Sequence, residues 1–101
     1  MGEYRLTNLA VKDLSDIWNY TFDNWSEIQA DNYHEQLTNS FESIAANQQQ
    51  GRNYEGIRGE LFGFKVNRHI VFYRTISSEL VEITRILHER MDLKNQVKKS
   101  T

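Results

Sequence analysis

Apolar positions change their period along this chain, and each change marks an element. Glu3-Tyr4-Arg5-Leu6-Thr7 alternates polar with apolar, the two-residue period of a short strand. From Ala10 the spacing turns helical. Ala10, Leu14, Ile17, Trp18, Thr21 and Trp25 share one face, and Thr7 or Asn8 is placed to cap the first turn. Trp18 and Trp25 belong to that stripe and are expected in the core, with partial exposure open to Trp25 at the helix end. Asp13 and Asp16 lie toward the start, where the helix dipole favours negative charge. Ser26-Glu27-Ile28-Gln29 reads as a capping box opening a second helix. Its stripe is Ala30, Tyr33, Leu37, Phe41, Ile44 and Ala45. So short a break folds the two helices back as an antiparallel hairpin. The second helix ends over Asn47 to Gly51, with Gly51 expected to supply a positive φ.

A polar loop with glycines follows at 52–60, and then the period returns to two. Residues 61–66, 69–76 and 80–87 read as three strands, rich in β-branched and aromatic side chains. Asn67-Arg68 and Ser77-Ser78-Glu79 join them and are short enough for hairpins. Unbroken alternation sets Ile70 and Phe72 on the same face as Val81 and Ile83, toward the helices. The order β-α-α-β-β-β defines an α+β fold, a helical hairpin packed on one face of a small, mainly antiparallel sheet. The chain of 101 residues is expected to form one domain, with 92–101 a polar, flexible tail.

Charge modifies this picture. The chain carries −2 overall, but the halves differ. Residues 1–50 hold two cations against eight carboxylates, a net −6, and residues 51–101 hold ten against six, a net +4. An acidic protein is a poor general binder of polyanions, so direct nucleic-acid binding is not expected. The basic half suits an acidic partner. No apolar run approaches the ~18 residues of a membrane span, and the N-terminus lacks the apolar core of a secretory signal. With no cysteine, the chain can form no disulfide, thiolate zinc site or thiol nucleophile, and a cytoplasmic protein is the simplest reading.

Arg74 and Arg85 fall in phase with apolar strand residues. A guanidinium there must reach solvent, pair with a carboxylate or serve a site. For Arg85 the internal partner would be Glu82 or an acid on the helices. His88 ends a strand between Arg85 and Arg90, where like charge opposes its cationic form, and its ring is expected to bond a backbone carbonyl. His69 reads as a turn residue, and His34, near Glu35 on the second helix, as either a packing or an exposed residue. No histidine–carboxylate pair has metal-ligand spacing, so no metal or cofactor is expected.

Several blocks, taken in order, resemble a known family. Tyr4-Arg5-Leu6-Thr7, then Ala10, Asp13-Leu14, Ile17-Trp18 and Trp25, then Gly51-Arg52 with Ile57-Arg58, lead into Arg68-His69-Ile70-Val71-Phe72-Tyr73-Arg74 and Arg85-Ile86-Leu87-His88-Glu89-Arg90-Met91-Asp92. The set is similar to the ParE branch of the RelE/ParE toxins, although members often carry proline near the position of Gln48 and this chain has none. The resemblance implies a non-enzymatic toxin that binds DNA gyrase and arrests growth. It also implies neutralisation by a cognate ParD-like antitoxin lying across the toxin's groove. Partner-binding candidates are Arg58, Arg68, Arg74, Arg85, His88, Arg90 and Lys94. The RelE branch supplies the alternative, a ribosome-dependent mRNA interferase. There Arg68 and Arg85 would stabilise the phosphorane and His88 would move a proton.

Overall fold

The computed structural model describes residues 2–53 and 61–91. Arg58, Lys94 and the expected tail lie outside them. Seven elements follow in order: β1 (Glu3–Leu6), α1 (Asn8–Asn24), α2 (Glu27–Ala46), β2 (Arg52–Asn53), β3 (Phe62–Val66), β4 (His69–Ser77) and β5 (Leu80–His88). The five strands form one sheet in the order β1-β5-β4-β3-β2. It is mixed: β1 runs parallel to β5, and the other pairings are antiparallel. The short strand β2 interrupts what reads in sequence as continuous loop.

Capping starts both helices as the sequence indicates. Thr7 accepts from the Ala10 amide at 3.1 Å, and Ser26 accepts from Gln29 at 3.1 Å. The exit from α2 works differently. Gly51 has no positive φ. A Cβ there would overlap the Tyr73 hydroxyl, which accepts from the Gly51 amide at 2.9 Å and donates to the Gln48 carbonyl at 2.7 Å. Glycine is required for close approach rather than for a left-handed turn. The positive φ among the described non-glycine residues falls on Asn67 (53°), in the two-residue turn from β3 to β4, where asparagine tolerates it.

The main core packs Leu37, Phe41 and Ile44 of α2 and Ala10 of α1 against Val71, Tyr73, Val81, Ile83 and Ile86 of the sheet. This corrects the strand facing. Val71 and Tyr73 meet the helices, and Ile70 and Phe72 join Leu61 and Leu87 in a second, smaller cluster. Side chains alternate along β4, so that cluster lies on the sheet's other face. The cause is a bulge. Phe72 pairs with Arg85 but Tyr73 pairs with Ile83, leaving Thr84 extra, and a second shift falls between Thr75 and Ser77. Each slip of one residue exchanges the faces.

Strand β1 covers β5 only from Leu80 to Ile83. Beyond it, α1 completes the edge: the Thr7 hydroxyl donates to the Thr84 carbonyl at 2.8 Å, and Asp13 accepts from the Ile86 amide at 3.0 Å. An unpaired strand edge is thereby closed by side chains.

Candidate partner-binding groove

The C-terminal end of α1, one side of α2, the β3–β4 turn and the end of β5 enclose an open groove of 970 Å³. Tyr20 and Trp25 form its aromatic lip, Tyr33 and His69 lie within it, and Lys65, Arg68, His88 and Glu89 line the strand side. The hairpin turn is held to α2 at two points. Asn67 donates to Gln36 at 2.6 Å, and Tyr33 donates to the Val66 carbonyl at 3.0 Å. The end of β5 is tied in by the Glu89 amide, which donates to the Arg68 carbonyl at 2.8 Å.

Tyr33 and His69 form the groove's central polar contact, 2.6 Å from the phenolic oxygen to Nδ1. The phenol gives its one proton to Val66, so His69 Nδ1 carries the hydrogen and donates to Tyr33, leaving Nε2 as an acceptor. Burial lowers His69 to about 4, and the nearby His88 ring adds to that shift. Burial likewise pushes Tyr33 up to about 12. Both are therefore neutral near pH 7. The His69 and His88 rings meet edge to face at 5.2 Å, being cross-strand partners. They also line a second cleft of 440 Å³ bounded by Ile17, Ile86, Leu87 and Met91. Charge is confined to the rim. Lys65 pairs with Glu89 at 3.0 Å, and that hydrogen bond holds the Glu89 carboxyl below its usual range. Arg68 is exposed and makes no ion pair among the described residues.

The candidate residues do not converge. Arg68 and His88 share the groove. Arg90 is exposed beside it in sequence, and its amide donates to His88 Nδ1 at 3.1 Å. The His88 ring thus secures the strand end, but through an amide rather than the expected carbonyl. Arg74 lies on the sheet face away from the helices, bonded to Glu82 at 2.8 Å, and Glu82 also takes Arg5 at 3.0 Å. Burial would raise the Glu82 carboxyl, but the two guanidinium bonds outweigh it and hold it low. Arg85 grips Asp13 with two bonds, Nε at 2.7 Å and Nη2 at 2.9 Å, with both side chains nearly buried. Asp13 is therefore a cross-sheet anchor beyond the first turn of α1, not a dipole-stabilising residue at its start.

Sequence reasoning missed the role of Tyr33, which reads only as a core-stripe member, and placed His69 in the turn. A phenol on the α2 stripe opposite the strand histidine is the signal that was present. Trp25 departs from expectation too: as the C-cap of α1 it is 71% exposed. Trp18 is half-buried, and its indole donates to Asp31 at 3.0 Å.

This fold coincides with a known class. Residues 4–93 match the family model described as "ParE toxin of type II toxin-antitoxin system, parDE". The chain is 33% identical over 92 residues to "Toxin ParE1" of Mycobacterium tuberculosis, covering 91% of this chain and 94% of that protein. It is 37% identical over 92 residues to "Toxin ParE1" of Caulobacter vibrioides, with the same shares covered. Among solved structures, "Chromosomal ParDE TA system from P. aeruginosa" superposes with a TM-score of 0.74 over 87% of this chain and 96% of that one, at 18% identity, a likeness of fold. The chain belongs to the ParE toxin family of type II toxin–antitoxin systems.

Proposed function

We propose that this ParE-family toxin acts by binding: it inhibits DNA gyrase and is neutralised by a ParD-like antitoxin seated in the groove. The observation that carries this reading is an open 970 Å³ groove with aromatic walls, a neutral floor and the exposed Arg68 on its rim. Such a surface fits an extended acidic-apolar segment, whose carboxylates would meet Arg68 and whose apolar side chains would pack on Tyr20 and Trp25. Arg90, exposed and next to the groove residue Glu89, adds a further cation, and Arg58 and Lys94 are candidates on sequence alone, outside the described residues. Arg74 and Arg85 hold internal carboxylates and contribute less.

The RelE-like alternative requires Arg68, Arg85 and His88 on one substrate. Arg85 instead faces Asp13 and does not line the groove, which favours the binding reading. Among the described residues no helix is long and apolar enough to cross a membrane, in keeping with action on a cytoplasmic target.

The test is a supercoiling reaction with purified gyrase and relaxed plasmid, run with the toxin alone and after addition of the small protein encoded beside it. Inhibition by the toxin and its relief by the neighbour are expected. Unchanged supercoiling and unchanged DNA cleavage at every attainable dose would remove gyrase as the target.

A further inference from the structure

Among the described residues, four of the eight exposed large apolar side chains fall at the turn between the helices. Tyr20, Phe22, Trp25 and Ile28 are 66%, 46%, 71% and 73% exposed, all within nine residues at the tip of the helical hairpin. Exposed apolar side chains this close along the chain mark an interaction site. Trp25 is not needed to close the core, because α1 ends there.

The surrounding charge indicates what the tip takes. The two helices carry seven carboxylates and one cation, Lys12. Lys12 is taken up by Asp16 at 2.8 Å, and Asp13 by Arg85. Asp23 and Glu27, which flank the exposed side chains, are themselves exposed and make no ion pair among the described residues. Tyr20 and Trp25 also line the groove, so the part of the tip outside it is Phe22 and Ile28 with Asp23 and Glu27. There an acidic segment is repelled and attracted instead to the groove's cationic rim. Two surfaces of opposite sign therefore select different occupants.

We infer that the hairpin tip is the toxin's target-docking surface, recognising a basic, apolar protein surface separate from the segment the groove holds. The inference rests on the toxin reading above and adds the place and chemistry of target contact. Phe22, Asp23, Glu27 and Ile28 belong to the tip and do not line the groove.

The experiment compares the wild-type chain with Ile28→Ser/Glu27→Lys and with Asp23→Lys in three assays: growth arrest on expression, supercoiling inhibition with purified gyrase, and affinity for the neighbouring antitoxin. Antitoxin affinity also reports folding. Support is a loss of about tenfold or more in growth arrest and in gyrase inhibition, with antitoxin affinity within about twofold. Wild-type affinity for the target should also weaken as salt rises. Variants that arrest growth like wild type overturn the tip assignment and leave the function reading intact. Variants that lose the antitoxin as well make the tip part of the groove and overturn the separation. If gyrase is untouched by wild type but the variants still lose growth arrest, the gyrase reading fails and the tip assignment stands. A wild-type chain that neither arrests growth nor inhibits gyrase overturns both. Sedimentation showing a wild-type dimer that Ile28→Ser dissolves would assign the tip to a second copy and overturn the inference.

Discussion

Asp13 is where a single side chain does most for this fold. Its carboxylate takes both forks of Arg85 and the Ile86 amide, within 2.7–3.0 Å, in a nearly buried position. Removing it leaves a guanidinium and a backbone N–H without acceptors, and such losses cost more than the net worth of the bonds. Asp13→Ala is expected to lower unfolding stability by about 3 kcal/mol in urea titrations, with Asp13→Asn falling between. A loss under about 1 kcal/mol would mean that water replaces the carboxylate freely. Gly51 and Tyr73 act as a second unit of this size. Gly51→Ala pushes a methyl into the phenol, and Tyr73→Phe removes the hydroxyl that bonds Gly51 and Gln48. Each is expected to cost about 1–2 kcal/mol, and the double variant should cost clearly less than the two added together. Additive losses would show that the two sites act independently.

At the scale of elements, the helix stripes divide by depth. Phe41 of α2 is 1% exposed and touches the sheet core, so Phe41→Ala should cost about 3–5 kcal/mol. Trp25→Ala at the exposed tip should stay within about 0.5 kcal/mol, as thermal melts of the two variants would show side by side. This contrast explains what was legible in the sequence. Period 3.6 and capping residues mark both helices, because every turn repeats the same apolar face and Thr7 and Ser26 sit where open amides need acceptors. Strands β1, β3, β4 and β5 and the Asn67 turn are equally visible, whereas the two-residue β2 is not. Facing within the sheet was not, because counting by twos assumes unbroken register and the bulge at Thr84 breaks it. Partners far apart in sequence were hidden as well: Asp13 meets Arg85 only after the sheet edge forms, and Tyr33 meets His69 only after α2 crosses β3 and β4. The candidate groove was therefore legible as a cationic strand block, and its neutral floor was not.

For the whole molecule, the same neutral floor sets the response to acid. An unfolded histidine titrates near 6.5, and burial holds His69 at about 4 in the fold. The groups acting on it are His88, which lowers it further, and Asp13 and Glu89, which partly restore it. Below pH 6.5 the unfolded chain takes up this proton more readily than the folded one. The stability that neutral His69 provides is therefore complete above about pH 6.5 and drains away as pH falls toward 4. At ~1.4 kcal/mol per unit the shift sets a ceiling on the order of 3 kcal/mol, and solvent screening of this half-buried ring brings the loss to about 1–2 kcal/mol. Glu82, held low by Arg74 and Arg5, gives way in a lower window, as pH falls below the ordinary carboxylate range. The two contributions can be separated by their position on the pH axis. His69→Phe keeps a flat ring of similar size and removes the titration. Its melting temperature should start lower at pH 7, where the Tyr33 contact is lost, and then change little down to pH 4.5 while the wild-type value falls. A His69→Phe chain that loses stability as steeply as wild type between pH 6.5 and 4.5 would place the acid response on the carboxylate pairs instead, and would leave the groove floor no part in it.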